Sequence, residues 1–574
     1  MPFPSASPSR PTWPETCLAL VAGLCGLAWF HRTDLATGFA ALTGDTGDTR
    51  LIGFLLEHSF RALNGLAPLL SPPMFHPHPG TFGYADAFLL HQVVYAPLRW
   101  LGLEPLTALQ WTTILHNFMP LVTAWLFLRR GLSLRPMPAL AGALLFAFNS
   151  AKFNQFVHLQ LQPLVLLPLL AWGLLDLVRK AETLTPKQAF VRLSLLALGL
   201  HVQLLSGVYA GWFFAFSGLL FTVLACIPGD TRVFLRSRLT VLKRPLLPAL
   251  VVFAVGALPF ALLYGPVVRE TGMRSYGDVQ GMIPTWSSLL WLGEGNLAWS
   301  WLPEILPRLK TVPFWWEHTI GLGVVVTLCG LGVALAVLRA AWRQRGSLLH
   351  PTATPSQERL AALFFGALTL SVLAFYLLGM KYFGKSPWWF AFHTVPGAKA
   401  IRAVARYALV TALPLSVVLA VALDLALARI DAMAAQVKGQ GADRRGRLRR
   451  DLGRLALCLL CGLAFFEQLG TRGGLDKAAE TARIRTLAAT IPRECKAFYV
   501  TAPTGSSKQP WELQIDAMWL ALAAGVPTLN GYSGQDPPGW KLFFVADPAY
   551  RARVAEWIGT KGLAGPVCAV VVDR

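Results

Sequence analysis

The chain has 574 residues, of which 54% are hydrophobic and only 14% are charged, whereas soluble globular proteins carry about 25% charged residues. This composition excludes one large soluble core and predicts repeated burial in lipid. The net charge of +21 does not indicate nucleic acid as a partner. The Lys and Arg residues lie in short loops between apolar runs, where the positive-inside rule places them.

Apolar runs of membrane-spanning length recur along the chain, and a bilayer-spanning helix needs about 20 mostly apolar residues. They predict an α-helical polytopic membrane protein with about eleven transmembrane helices. The predicted spans are residues 15–31, 106–128, 136–150, 158–178, 191–208, 209–227, 246–264, 318–338, 360–380, 404–428 and 453–469. The first span follows Arg10 and has no cleavage site of the usual kind after it, which predicts an uncleaved signal anchor.

Basic residues set the predicted orientation. They are concentrated in five loops, 129–135, 179–192, 228–245, 339–359 and 429–454. If all five loops are cytoplasmic, the N-terminus is cytoplasmic and the C-terminus is extracytoplasmic. The outer segments are then residues 32–105, 265–317, 381–403 and everything after 470.

The first outer segment, residues 32–105, is long and acidic. Within it, residues 87–103 are apolar enough to cross the membrane, but a crossing there would reverse the side of the Arg129 loop. We therefore predict an interfacial helix, in which Tyr95 and Trp100 suit the interface and Arg99 snorkels. Residues 51–63 predict a second helix of this kind.

The chain changes character after residue 470. Residues 495–500 and 567–573 predict short buried strands, and residues 511–524 and 547–560 predict helices. We therefore divide the chain into a transmembrane domain, 1–470, and a small extracytoplasmic α/β domain, 471–574. Cys495 and Cys568 would be able to form a disulfide if this domain lies outside the cytoplasm.

The acidic repeat Gly44-Asp45-Thr46-Gly47-Asp48-Thr49 follows the first span. One interpretation is structural: Asp48 caps a helix that begins near Arg50. The other is catalytic: one carboxylate is a general base, which must come within hydrogen-bond reach of an acceptor hydroxyl. The residues alone leave both interpretations open.

Further polar and aromatic residues are candidates for lining a substrate cavity. His76 and His78 lie in a proline-rich turn, and no other ligands complete a metal site around them. A polar cluster around His158 enters the membrane from the outer side, where such groups usually face water. The predicted cavity residues are His76, His78, Asp86, Asn154, His158, Gln160, Trp315, Glu317 and His318.

Three basic residues on the outer side run against the positive-inside trend: Lys399, Arg402 and Arg406. Arg402 and Arg406 are four residues apart, which would place them on one helical face in a geometry suited to a phosphate. Plain interfacial snorkelling is the alternative.

Several stretches together resemble the C-type (GT-C) superfamily of integral-membrane glycosyltransferases, especially the bacterial YfhO-like branch. They are the acidic Gly-Asp repeat, FAFNSAKFNQFVHLQLQPLVLLPLLAW (146–172), PGAKAIRAVARYAL (396–409) and LNGYSGQDPPGW (529–540). The resemblance implies a protein of the bacterial inner membrane. It would move a sugar from a polyprenyl-phosphate carrier to a glycan, lipid or protein acceptor outside the cytoplasm.

The resemblance also implies roles for individual residues. The catalytic base would be Asp45 or Asp48, and we prefer Asp45 because Asp48 has the competing capping role. Arg402 and Arg406, together with Lys399, would hold the carrier phosphate. No nucleotide or soluble cofactor is needed, and a divalent ion bridging the two aspartates is the one metal that the resemblance allows.

Two other function classes compete with this reading. A transporter or lipid flippase should show internal repeats and broken helices near mid-membrane. We find no repeat between the halves of the sequence, and the unusual charges cluster at the outer surface. A non-catalytic envelope assembly protein is the third possibility, and it predicts that the aspartates are dispensable.

Overall fold

A computed structural model describes residues 12–352, 354–436, 442–503 and 506–572, so the predicted signal-anchor residue Arg10 lies outside the described residues. The α-helices are α1 Trp13–Phe30, α2 Arg32–Ala36, α3 Asp48–Leu63, α4 Leu89–Trp100, α5 Pro105–Leu126, α6 Pro136–Ala147, α7 Ser150–Asn154, α8 Leu166–Lys180, α9 Pro186–Ser206, α10 Val208–Ala225, α11 Gly229–Gly256, α12 Leu258–Thr271, α13 Tyr276–Gln280, α14 Leu302–Ile305, α15 Arg308–Thr311, α16 Val324–Arg343, α17 Arg345–Leu348, α18 Gln357–Leu378, α19 Trp388–Thr394, α20 Tyr407–Ala435, α21 Ala442–Phe466, α22 Lys477–Ala488, α23 Pro510–Ala524 and α24 Tyr550–Lys561. The strands are β1 Ala41–Thr43, β2 Gly474–Asp476, β3 Ala497–Thr501 and β4 Val567–Val571.

Each predicted span overlaps a helix, although span 246–264 is divided between the end of α11 and the start of α12. The predicted fold class is confirmed. Among the described residues, eight helical segments are long and apolar enough to cross a membrane. They are Trp13–Phe30, Leu159–Lys180, Pro186–Ser206, Val208–Ala225, Gly229–Gly256, Val324–Arg343, Gln357–Leu378 and Val404–Ala435. Helices α5, α6 and α21 cover the other three predicted spans. The protein is therefore a multi-pass membrane protein, and the count of eleven stays a prediction.

Ion pairs tie the helices together at one end of the bundle. Arg129 pairs with Glu15 at 3.2 Å, between the end of α5 and the first turn of α1. Arg135 pairs with Asp424 of α20 at 2.9 Å. The first basic loop thus lies beside the first turn of α1 and the C-terminal half of α20. The predicted orientation of the loops across the membrane stays a prediction.

Helices α3 and α4 were predicted to lie at the membrane interface, but they pack against each other through buried polar side chains. Tyr95 is fully buried, and its hydroxyl donates to Glu57 of α3 at 2.9 Å. Arg99 also pairs with Glu57, at 2.8 Å. The prediction that Arg99 snorkels is therefore wrong, because a buried carboxylate on the facing helix binds its guanidinium. Trp100 is exposed, as predicted.

The C-terminal region forms the predicted strands and helices. Strands β3 and β4 pair in parallel, with Ala497 opposite Val567. Cys495 and Cys568, whose pairing the sequence left open, form a disulfide. This region shares one hydrophobic core with the first outer segment, in which Leu55 and Phe75 are buried together with Phe498. The boundary at residue 470 stays a prediction.

A second contact attaches the C-terminal region to the acidic repeat. Strand β1, which ends immediately before the repeat, pairs antiparallel with β2, so that Leu42 lies opposite Leu475. The backbone N–H of Gly44 then donates to the carbonyl of Gly473 at 3.2 Å. The repeat is thus held between β1 and α3 by residues far away in sequence.

Candidate active site

The acidic repeat forms the turn that leads into α3, and its two aspartates have different roles. Oδ1 of Asp45 accepts a hydrogen bond from the backbone N–H of Thr49 at 3.0 Å. The hydroxyl of Thr49 accepts one from the backbone N–H of Asp45 at 3.1 Å. The first amides of a helix have no intrahelical partner, so Asp45 supplies the cap. The expectation that Asp48 is the capping residue is wrong.

Asp48 instead faces a cluster of charged side chains. Its Oδ2 lies 2.9 Å from Nε2 of His158. The same His158 nitrogen lies 3.8 Å from Oε1 of Glu317. Glu317 in turn binds Arg406 with two hydrogen bonds, of 2.7 and 3.1 Å. We call Asp48, His158, Glu317 and Arg406 the charged cluster.

Local hydrogen bonds hold His158 in position. Nδ2 of Asn154 donates to the carbonyl of Leu292 at 2.6 Å. Nε2 of Gln155 donates to Glu317 at 3.2 Å, and Gln162 donates to the carbonyl of Gln155 at 2.8 Å. The polar residues before α8 therefore fix the loop that carries His158.

The positive charges in the cluster keep its two carboxylates, Asp48 and Glu317, ionised. Burial opposes ionisation of Asp48, but the hydrogen bond and charge of His158, together with Arg406, hold its pKa below the usual value. Burial likewise opposes ionisation of Glu317, yet Arg406 and His158 lower its pKa to about 2. Both carboxylates are therefore ionised at neutral pH. The Asp48 side chain is 27% exposed, whereas that of Glu317 is 5% exposed, so Asp48 is the carboxylate that a substrate can reach.

The three predicted phosphate-binding residues do not form one surface. Arg406 ends a short 3₁₀ turn, Val404–Arg406, while residues 401–403 are not helical. Arg402 and Arg406 therefore do not share a helical face, and that prediction is wrong. Arg406 is buried and bound to Glu317. Arg402 and Lys399 are exposed.

Tyr209 organises the segment around Arg402. Its hydroxyl accepts the backbone N–H groups of Arg402 and Ala403 at 3.1 and 3.2 Å. Its ring lies 5.0 Å from the guanidinium carbon of Arg406. A second cation, Arg274, lies near Arg402. Burial lowers the pKa of Arg274, and the positive charge of Arg402 lowers it further. Sequence reasoning did not single out Arg274 as a phosphate ligand.

Tyr532 of the C-terminal region also borders the charged cluster. Burial raises the pKa of its hydroxyl, and the charges of Asp48 and Asp45 raise it further. Arg274 donates to the carbonyl of Gly534, two residues along the chain, at 3.4 Å. The LNGYSGQ segment therefore closes one side of the site.

The other predicted cavity residues contact groups outside the charged cluster. His78 contacts Glu270 at 2.8 Å. Asp86 accepts the backbone N–H of Val208 at 2.8 Å and so caps α10 rather than its own helix. The ring of His318 contacts the carbonyl of Gly281. The backbone carbonyl of His76 accepts a hydrogen bond from Trp557, and the ring of Trp315 packs on that of Trp291. The buried Oε1 of Gln160 has no partner among the described residues.

A divalent ion bridging the two aspartates, which the resemblance allows, does not fit this geometry. Asp45 caps α3, while Asp48 faces His158. Within the described ranges, no group of three His, Cys, Asp or Glu side chains is arranged to hold a metal ion. In the charged cluster, Arg406 already neutralises Glu317. We therefore derive no catalytic step through a metal.

The helical bundle with its small C-terminal sheet is similar in fold to two solved structures, although its sequence matches no known family. No curated protein sequence matches the chain either. Two solved structures of the oligosaccharyltransferase of Archaeoglobus fulgidus are similar to it at 12% identity.

One of these structures is archaeal oligosaccharyltransferase AglB in complex with an inhibitory peptide and a dolichol-phosphate, with a TM-score of 0.51 over 90% of this chain. The other is the apo form, with a TM-score of 0.53 over 95% of this chain. The chain spans 64% and 68% of their respective lengths. At this identity the similarity establishes the fold.

Proposed function

We propose that the protein is a glycosyltransferase that moves a sugar from a polyprenyl-phosphate-linked donor to an acceptor on the extracytoplasmic side of the bacterial inner membrane. Asp48 is the general base, and the anomeric centre is inverted. One observation carries the proposal: a partly exposed, ionised Asp48 is held by His158 within the charged cluster. The GT-C fold and the stretches that resemble the YfhO-like branch support it.

The geometry favours Asp48 over Asp45 as the base. Oδ2 of Asp48 contacts His158, whereas its Oδ1 has no hydrogen-bond partner among the described residues and is free for an acceptor hydroxyl. Asp45 uses one oxygen to cap α3. His158 itself is a poor candidate for the base, because its Nε2 faces Asp48 and its Nδ1 is buried.

The proposed reaction is a single displacement. The acceptor hydroxyl gives its proton to Oδ1 of Asp48 while its oxygen attacks the anomeric carbon of the donor sugar. The bond from that carbon to the phosphate oxygen breaks, and the phosphate leaves with the electron pair. His158 orients the carboxylate, and Arg406 positions Glu317 behind it.

Arg402 and Arg274 are the cations that we assign to the carrier phosphate, in place of Arg402 with Arg406. Neither guanidinium has a carboxylate partner within salt-bridge distance among the described residues. Tyr532 lies within range of the charges of both Arg402 and Asp48. Two such cations would bind the departing phosphate and stabilise the negative charge that develops on it. The AglB structure that holds a dolichol-phosphate is consistent with a lipid-phosphate donor.

A direct test uses the full-length protein in liposomes that contain a polyprenyl phosphate carrying a radiolabelled sugar, with saccharide, lipid and peptide acceptors added on the extracytoplasmic side. We expect the label to move from the polyprenyl phosphate to an acceptor and free polyprenyl phosphate to accumulate. A flippase would instead move intact labelled lipid between leaflets. That result, with no cleavage of the sugar–phosphate bond, would contradict the proposed function.

A further inference from the structure

Trp511, at the start of α23, faces the acidic repeat across a glycine. A Cβ atom added to Gly47 would lie 3.6 Å from Cδ1 and Nε1 of Trp511 and 3.5 Å from Oδ2 of Asp45. The absence of a side chain at Gly47 therefore leaves a gap between an indole edge and a carboxylate.

Both polar atoms at this gap are free. Nε1 of Trp511 and Oδ2 of Asp45 have no hydrogen-bond partner within the described part of the chain. Trp511 is 37% exposed despite its size. An N–H donor and a carboxylate acceptor beside a half-exposed ring can bind a hydroxyl group from both sides.

Aromatic side chains continue away from the aspartates on a second path. Burial raises the pKa of Tyr532, and the charges of Asp48 and Asp45 raise it further, so Tyr532 lies near both carboxylates. The ring of Tyr532 stacks on that of Phe543, with centroids 6.4 Å apart. Phe543 packs edge-on against Phe544 at 5.0 Å, and Phe544 is 56% exposed.

A recess of about 280 Å³ has Phe544 and Pro510 in its lining. It is lined by Lys508, Pro510, Leu513, Phe544, Val545, Ala546 and Asp547. Pro510 is the neighbour of Trp511 in the first turn of α23, and Phe544 is the last ring of the second path. The C-terminal region therefore offers a track of half-exposed rings that leads to the two aspartates.

We propose that this track, formed by Trp511, Tyr532, Phe543 and Phe544, binds the acceptor and that the acceptor is a saccharide chain. The inference rests on the proposed function, because it places the acceptor hydroxyl at Asp48. Sugar rings present flat C–H faces that stack on aromatic rings and hydroxyls that need paired donors and acceptors. The track supplies the rings, and Asp45 with Trp511 supplies the paired groups at its end.

The test measures binding without catalysis. The full-length protein in lipid nanodiscs is titrated with neutral hexasaccharides of glucose and of N-acetylglucosamine, and with polar hexapeptides of the same length. We expect at least one hexasaccharide to bind and Trp511→Ala to raise its Kd at least tenfold. Trp511→Phe, which keeps a ring but loses the N–H, should raise the Kd two- to fivefold.

Trp301→Ala is the matched control, because Trp301 is similarly exposed, at 43%, and lies away from the track. It should leave the Kd unchanged. The inference is overturned if no hexasaccharide binds, if Trp511→Ala leaves the saccharide Kd unchanged, or if the peptides bind instead with the same dependence on Trp511. Cleavage of the labelled donor by the wild-type protein tests the proposed function separately, so the two failures are distinguishable.

Discussion

Oδ2 of Asp48 lies 2.9 Å from Nε2 of His158, which joins the acidic repeat to a loop 110 residues away in sequence. This contact is the reason for proposing Asp48 as the base, because His158 orients the Asp48 carboxylate while Asp45 caps α3. Substitutions of His158 and of the residues around it test the proposed site.

Replacing His158 should change the pH dependence of the reaction. His158 holds the pKa of Asp48 below its usual value, so His158→Ala should raise that pKa and move the acid limb of the kcat profile to higher pH. Activity rises as a general base loses its proton, which fixes the sign of the shift. The measurement is kcat against pH with the labelled donor. An acid limb at the wild-type position would show that His158 does not act on the base.

The Glu317–Arg406 pair should stabilise the fold as a unit. Both side chains are under a tenth exposed, and removing one partner of a buried pair costs about 3–5 kcal/mol. We expect Glu317→Leu or Arg406→Leu alone to lower the Tm markedly, and the double variant to recover much of that loss. Thermal unfolding in detergent measures this. A double variant as unstable as the sum of the single variants would contradict the pairing.

The same pair predicts a loss of stability in acid. The pKa of Glu317 is lowered from 4.5 to about 2, so its ionisation stabilises the folded state above pH 4.5 and this contribution is lost as the pH falls towards 2. Glu317→Gln should therefore flatten the dependence of Tm on pH in that window. An equal slope in both proteins would argue against a depressed pKa.

Asp516 should be required to keep the C-terminal region docked on α3. It is fully buried and binds Arg50 of α3 at 2.5 Å, together with Arg483 and Lys508. Asp516→Asn leaves these cations undercompensated, so we expect a lower Tm and faster hydrogen exchange at residues 44–50. Lys541→Gln removes an exposed pair with Glu556 and is the control, since exposed pairs contribute about 0–1 kcal/mol. Unchanged exchange in Asp516→Asn would show that docking does not depend on this network.

Arg402 and Arg274 should act on the donor rather than on the acceptor. We expect Arg402→Gln and Arg274→Gln each to raise the donor KM at least fivefold, because each removes a cation assigned to the phosphate. The exposed Lys385 provides the control Lys385→Gln. A larger change in the acceptor KM than in the donor KM would remove the phosphate assignment.

Much of the fold could be predicted from the sequence, because lipid burial and positive charge leave strong patterns. The strands at residues 497–501 and 567–571 were also predictable. The pairing of Cys495 with Cys568 was left open, because it depends on the side of the membrane on which the region lies. The role of Arg99 was not, because its partner Glu57 lies on another helix. A snorkelling Arg and a buried, paired Arg have the same local sequence.

The site was predicted in pieces rather than as a whole. Asp48, His158, Glu317 and Arg406 were all singled out, but under three different roles, since nothing local shows that residues so far apart converge. One signal was available: Glu317 and Arg406 are opposite charges that both flank apolar spans, where unpaired charges are costly. The capping role of Asp45 was missed because it depends on the position of Gly47 at the helix start.

The most direct test of the central claim compares Asp48→Asn with Asp45→Asn for transfer of the labelled sugar, with folding checked by Tm. The Asp48 variant should lose at least a hundredfold in kcat, because it lacks the general base. The Asp45 variant should lower the Tm and retain measurable kcat. Full activity of Asp48→Asn, or the larger loss of kcat in Asp45→Asn, would contradict the account.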